Sequence, residues 1–204
     1  MLVDLIDRLR CPKPHGDTWL VAAASRTEHR HLVDATLGCH ICGAEYTLRA
    51  GELWFGDATE ETPMPVSEGE TLRTAALLGA VERGLYLLDG GWASLAASLG
   101  ELLDVDLLLA DPPAIARGAA AGRGILRGVG DRWPLASASL HGLALSRATE
   151  PRLDDAVRVL RAGGRLIAPA SAPVPAGIRE LTRDGRHWVA EKAAPLVTLA
   201  RGSR

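Results

Sequence analysis

At 204 residues, 47% hydrophobic and 24% charged, the chain is globular in composition and long enough for one ordinary core or for a small module joined to a medium-sized domain. A formal charge of −2 at pH 7 gives no global basic field, which argues against attraction to nucleic-acid phosphate as a main driving force. Three cysteines, two of them at Cys-x-x-Cys spacing, exclude a disulfide scaffold and favour metal binding in a reducing, cytoplasmic compartment.

The first ten residues, MLVDLIDRLR, place Leu2, Leu5, Ile6 and Leu9 at helical spacing and predict a short amphipathic helix ending at Cys11-Pro12. Asp4 and Asp7 interrupt the apolar stretch, so it does not read as a signal peptide. Three strands are predicted next, at residues 19–23, 31–35 and 45–48. Around them lie the metal-ligating residue types. Cys11-Pro12-Lys13-Pro14-His15 supplies a Cys-x3-His pair and Cys39-His40-Ile41-Cys42 a Cys-x2-Cys pair, with 23 residues between them. A hairpin of that length can bring the two turns face to face. Zinc accepts thiolate and imidazole in one tetrahedron, so Cys11, His15, Cys39 and Cys42 are the expected ligands of a structural zinc ion. His40 is a rival ligand, but it sits between the two cysteines of a knuckle, where side chains point away from the metal; His29 and His31 are further rivals on a strand.

“LIDRLRCPKPHGDTWL” followed by “LGCHICGAEYTLRAGELWF” resembles the small zinc-ribbon proteins that activate tRNA, rRNA and protein methyltransferases. The likeness covers residues 1–56 and departs from that family at His15, where a cysteine is usual. It implies a ribbon that docks on a protein partner.

Residues 57–70, DATEETPMPVSEGE, are acidic, carry two prolines and show no apolar periodicity, as expected of a linker. Beyond them short apolar runs alternate with helical stretches, the pattern of βαβ units around a parallel sheet. Helices are predicted at 71–82, 94–103 and 151–161, and strands at 85–89, 105–110, 125–129, 140–146 and 164–169. “RHWVAEK” and “PLVTLAR” read as a closing hairpin that turns at Ala-Ala-Pro. The expected class is α/β: a doubly wound, Rossmann-like sheet over residues 71–204, preceded by the ribbon at 1–56. No membrane span is expected, because the best apolar run, 105–110, is bracketed by Asp104 and Asp111 and falls far short of about 20 residues.

Asp89, Gly90 and Gly91 lie where the first strand of that sheet should turn into a helix, and Asp111 follows the second strand. In doubly wound sheets such a turn approaches a nucleotide-like ligand closely and such an acid bonds its ribose. “GVGDRWPLASASLHGLALS” and “LDDAVRVLRAGGRLIAPA” resemble segments of class I S-adenosylmethionine-dependent methyltransferases. That resemblance covers roughly residues 71–200. It implies a methyltransferase-type sheet ending in sixth and seventh strands, with Asp131 near an adenine and S-adenosylmethionine as cofactor.

One departure bears on activity. The family's first motif carries three spaced glycines after its acid, whereas Asp89-Gly90-Gly91-Trp92-Ala93-Ser94-Leu95 keeps only Gly91 in register. Side chains at Ala93 and Leu95, with Trp92 beside them, are expected to crowd the cofactor unless the indole turns outward over apolar surface. No catalytic residue is assigned. Asp111-Pro112-Pro113 lacks the aromatic of a base-positioning motif, and His141 and His187 read as packed residues. Arg117, Arg123, Arg127 and Arg132 read as a solvated face. Two functions follow: a pseudoenzyme retained as a partner-binding scaffold, and an active methyltransferase acting on a protein, RNA or small molecule.

Overall fold

The computed structural model describes residues 1–80, 83–117 and 123–194, whose strands all join one sheet. In chain order the elements are α1 (Val3–Ile6), β1 (Leu20–Glu28), β2 (His31–Cys39), β3 (Glu45–Arg49), β4 (Glu52–Trp54), α2 (Glu68–Leu78), β5 (Leu85–Asp89), α3 (Ala96–Leu102), β6 (Asp106–Ala110), β7 (Arg123–Arg127), β8 (Leu140–Ala144), α4 (Glu150–Val159), β9 (Leu160–Pro169), β10 (Ile178–Arg183) and β11 (His187–Lys192). Across the sheet the strands run β1-β2-β3-β4-β7-β6-β5-β8-β9-β11-β10. From β7 to β9 neighbouring strands are parallel, while β11 is antiparallel to β9 and to β10. Numbered from β5, that half reads 3-2-1-4-5-7-6: a doubly wound sheet of the methyltransferase type, whose order reverses at β5.

The amino-terminal meander β1–β4 continues this sheet. Glu52, Leu53 and Trp54 of β4 pair in parallel with Ile125, Leu126 and Arg127 of β7. A second tie lies on the face of the sheet. Leu5 rests over Gly124 of β7, and the fully buried Leu9 bridges Leu135 in the β7–β8 connection, which contains no helix. Arg10 N–H donates to Pro134 O and Ala136 N–H to Arg8 O. The amino-terminal segment thus covers a stretch of sheet that no helix of that connection covers; burying a leucine there contributes about 1.5–3 kcal/mol.

Both faces are covered, which explains why the central strands read as unbroken apolar runs instead of alternating ones. Leu87, Leu108, Leu126, Leu143 and Leu166 face the layer that holds α4, Leu5 and Leu9. Tyr86, Leu88, Leu109, Ala144 and Ile167 face the layer of α2 and α3. Helix α2 starts where Ser67 accepts the Glu70 N–H and stops at Gly79, whose φ of 63° is the left-handed conformation that ends helices.

The structure departs from the sequence expectations in four elements and at Arg127, which is not on a solvated face but buried, donating to Pro112 O at 3.0 Å. The first helix is one short turn, because Leu9 and Arg10 are drawn into bridges with Leu135 and Trp19. Strand β4 was not foreseen; three residues give too little alternation to read. The segment after Asp89 opens with a 3₁₀ turn over Gly90–Leu95 before α3. The closing hairpin joins β10 to β11 through Asp184 and Arg186, so “RHWVAEK” pairs with the strand before it, whereas “PLVTLAR” lies outside the described residues.

Candidate functional site

Two clusters of polar groups stand out, one in the ribbon and one at the carboxyl ends of β5–β8. In the ribbon, β1 and β2 fold back so that the turn after Cys11 meets the turn after Cys39. The ligand atoms of Cys11, His15, Cys39 and Cys42 all lie within 4.8 Å of one another. Cys11 Sγ and Cys42 Sγ are 3.8 Å apart, and Cys39 Sγ is 3.4 Å from His15 Nε2. Zinc–sulfur bonds of about 2.3 Å put two sulfurs of a tetrahedron about 3.8 Å apart, so the donor set and its spacing fit a four-coordinate zinc ion. His15 Nδ1 lies 2.7 Å from Gly16 O, the second contact that fixes a ligating imidazole. Tyr46 Oη, 3.4 Å from Cys11 Sγ, closes the cluster from below. Burial pushes the Cys39 thiol up, but the N–H groups of Cys42 and Ile41 and the neighbouring thiols outweigh it and hold the pKa at about 7. His29, His31 and His40 are not in the cluster.

The second cluster lies at the reversal of strand order, where doubly wound sheets place their ligands. Asp89, at the end of β5, is wholly buried and 2.6 Å from the guanidinium of Arg152 on α4. It also accepts the N–H groups of Ser146 and Arg147, at 3.1 and 3.4 Å. Arg152 continues to the carbonyls of Val129 and Gly130 and stacks 4.0 Å from the centre of the Trp133 ring. Asp111 holds a left-handed backbone (φ 44°) and uses its carboxylate to accept Gly128 N–H at 2.7 Å and Val129 N–H at 3.2 Å. Asp131 is exposed and accepts the Thr149 hydroxyl at 2.9 Å. Each of the three acids expected around an adenosyl ligand therefore has a partner within the chain.

The glycine turn has one as well. Residues 57–66 have no regular structure and cross the ends of the parallel strands, starting beside Gly128 and reaching Gly91. The Glu61 carboxylate takes the space a Cβ would fill on Gly90, whose φ is 54°. Its Oε2 accepts Gly91 N–H at 3.3 Å, and its Oε1 is 2.9 Å from Arg147 Nε. Met64 N–H reaches Gly91 O at 3.4 Å and Ser94 Oγ at 3.2 Å. With this strap in place the bare backbone is covered, and the residues present do not fit an adenosyl cofactor.

Trp92 neither crowds the turn nor faces outward. Its indole is buried between the sheet and α3, donates Nε1–H to Leu145 O at 3.1 Å and packs 4.9 Å from the His187 ring. Ala93 and Leu95 are fully buried in the same layer. Sequence reasoning missed Glu61, Ser146, Arg147 and Arg152. Nothing local marks Glu61, since an acid in an acidic, proline-bearing run reads as solvated.

No family model matches the chain, and no curated protein matches it. Among solved structures it is similar to a Methanococcus maripaludis protein provisionally named an S-adenosyl-L-methionine-dependent methyltransferase, at 9% identity over 64% of this chain and 86% of that one, with a TM-score of 0.48. The Escherichia coli protein yhhF, provisionally named a methyltransferase, is 9% identical over 72% of this chain and 94% of its own, with a TM-score of 0.46. The antibiotic-resistance methyltransferase Kmr is 17% identical over 67% and 99%, with a TM-score of 0.41. The fold assignment rests on the strand order itself.

Proposed function

We propose that this protein is a zinc-bearing, non-catalytic scaffold on a methyltransferase-type sheet that engages a protein partner through its ribbon, in the reducing cytoplasm. One observation carries the reading: the carboxylate of Glu61 lies on the Gly90-Gly91 turn that a cofactor would need. Cys11, His15, Cys39 and Cys42 would hold zinc, which supplies folding energy and no open coordination position. The partner surface is supported by Trp19 and Val21, each 63% exposed, by Ile41 at 55%, and by the outer edge of β1, on which no strand pairs among the described residues. Isothermal titration of zinc-loaded protein with S-adenosylmethionine and S-adenosylhomocysteine tests it, and no detectable heat is expected.

A second reading has its own support. Because Trp92, Ala93 and Leu95 face the core, the departure from the glycine motif does not itself narrow the crevice. An active methyltransferase would need only positioning, since in-line methyl displacement does not require an acid or base. Binding tighter than about 100 μM, worth roughly 5–6 kcal/mol, would favour that reading.

A further inference from the structure

The antiparallel part of the sheet is covered on one face. Leu37, Tyr46, Leu48 and Leu53 point into the buried cluster that holds Leu5 and Leu9, and the residues alternating with them point outward. Register aligns Ala23, Thr36, Thr47 and Trp54 in one straight row across β1–β4, with Val21, Gly38 and Glu45 in the row beside it. Val21 is 63% exposed and Trp54 38%, and the space above Gly38 is open. Such a face, part apolar and lined by small residues, has the character of a contact surface. Its charges are ordered. The outward residues of β3 are Glu45, Thr47 and Arg49, all exposed, so the strand reads acid, neutral, base about Thr47. Among the described residues neither Glu45 nor Arg49 forms an ion pair, nor does Glu52, which lies opposite Arg49, whereas Asp34 on the neighbouring strand is paired with Arg26 at 3.0 Å.

We propose that this face packs on the same face of a second copy of the chain, about a twofold axis lying along the row from Ala23 to Trp54. The inference rests on the reading that the ribbon engages a protein partner, and it names that partner. Charge selects both the occupant and the axis. An axis across the strands reverses β3 in the second copy, so each Glu45 lies over the other copy's Arg49 and Thr47 lies over Thr47. An axis along the strands would instead set Glu45 over Glu45 and Arg49 over Arg49. Ala23, Thr36 and Thr47 are small enough to let the two sheets approach to the usual ~10 Å, and the axis brings Trp54 beside its own copy. Four strands about 4.8 Å apart cover roughly 400 Å² on each copy, about half of a standard interface, which makes the pairing weak and concentration-dependent.

The test is sedimentation velocity on the intact zinc-loaded chain over about 5–500 μM, where a reversible monomer–dimer equilibrium is expected. Glu45→Arg and Arg49→Glu should each weaken the dimer at least about tenfold, because each sets like charges face to face twice in the symmetric pair. The double variant, Glu45→Arg with Arg49→Glu, exchanges the charges and should return the dissociation constant to within about threefold of wild type. Raising salt from about 50 to 500 mM should weaken the wild-type dimer, a measurement that stands if a variant fails to fold. Wild type that stays monomeric throughout overturns the inference and leaves the scaffold reading, which the S-adenosylmethionine titration tests, intact. A dimer indifferent to salt and to both single substitutions, or one that the double exchange does not restore, overturns it as well.

Discussion

The cysteine-histidine cluster and the end of β5 both gather polar side chains from distant parts of the chain, and they differ in what those groups face. In the ribbon, four donor atoms face one another across a space the size of a zinc coordination sphere. At the end of β5, Asp89 meets the Arg152 guanidinium, Glu61 meets that of Arg147, and Asp111 meets backbone N–H groups of the same chain. Convergence of reactive residue types alone therefore does not mark a ligand site. What separates the two is whether the converging groups are complementary to each other or only to something else.

That contrast can be broken by mutation. The largest effect is expected at the cluster. Cys39→Ser should take zinc below half an equivalent by elemental analysis and lower Tm by about 10 °C or more, since each kcal/mol is worth about 2–4 °C at this size. His15→Ala should reduce occupancy more than His40→Ala. If His40→Ala is the more damaging, the assignment of the fourth ligand fails.

At the end of β5, Arg152→Ala should cost about 3–5 kcal/mol in denaturant unfolding, because it leaves Asp89 buried without its counter-charge. Replacing both partners, Asp89→Leu with Arg152→Met, should recover most of that loss. Failure to recover would give the pair a role beyond neutralising itself. Gly90→Ala should cost about 1–3 kcal/mol, from its left-handed backbone and from collision with Glu61. In a Glu61→Ala background the cost should fall to the backbone part alone, a coupling that a double-mutant cycle reads directly.

The smallest effect serves as a reference remote from both clusters. The N–H groups of His187 and Arg186, with Arg73 nearby, hold the Asp184 carboxyl at about 2. A depressed carboxyl stabilises the fold fully above its unfolded value, and the contribution disappears as pH falls through its folded value. Asp184→Asn should therefore flatten the dependence of Tm on pH between about 4 and 2 while leaving zinc content unchanged.

The convergence of Cys11, His15, Cys39 and Cys42 was legible because metal chemistry links residue types to spacing, so the cluster could be read from two short turns. The parallel sheet was legible for a similar reason: strands covered on both faces must be continuously apolar, as Leu85–Asp89 and Asp106–Ala110 largely are. What escaped were contacts between segments with no mutual signature. Glu61 meets Gly91 across 30 residues, and Asp89 meets Arg152 across 63. Glu61 and Arg152, read in isolation, resemble solvated surface. The short β4 escaped for the same reason, since its place is set by β7 and not by its own alternation.

The pairing of β4 with β7 also bears on how the chain would tolerate a break. A nick within residues 57–66 would cut the only covalent path between the two halves, yet Glu52–Trp54 would stay hydrogen-bonded to β7, with Leu5 and Leu9 seated on the opposite fragment. The fragments should travel together through gel filtration and could be produced apart and reassembled, which makes the ribbon a removable part of the sheet.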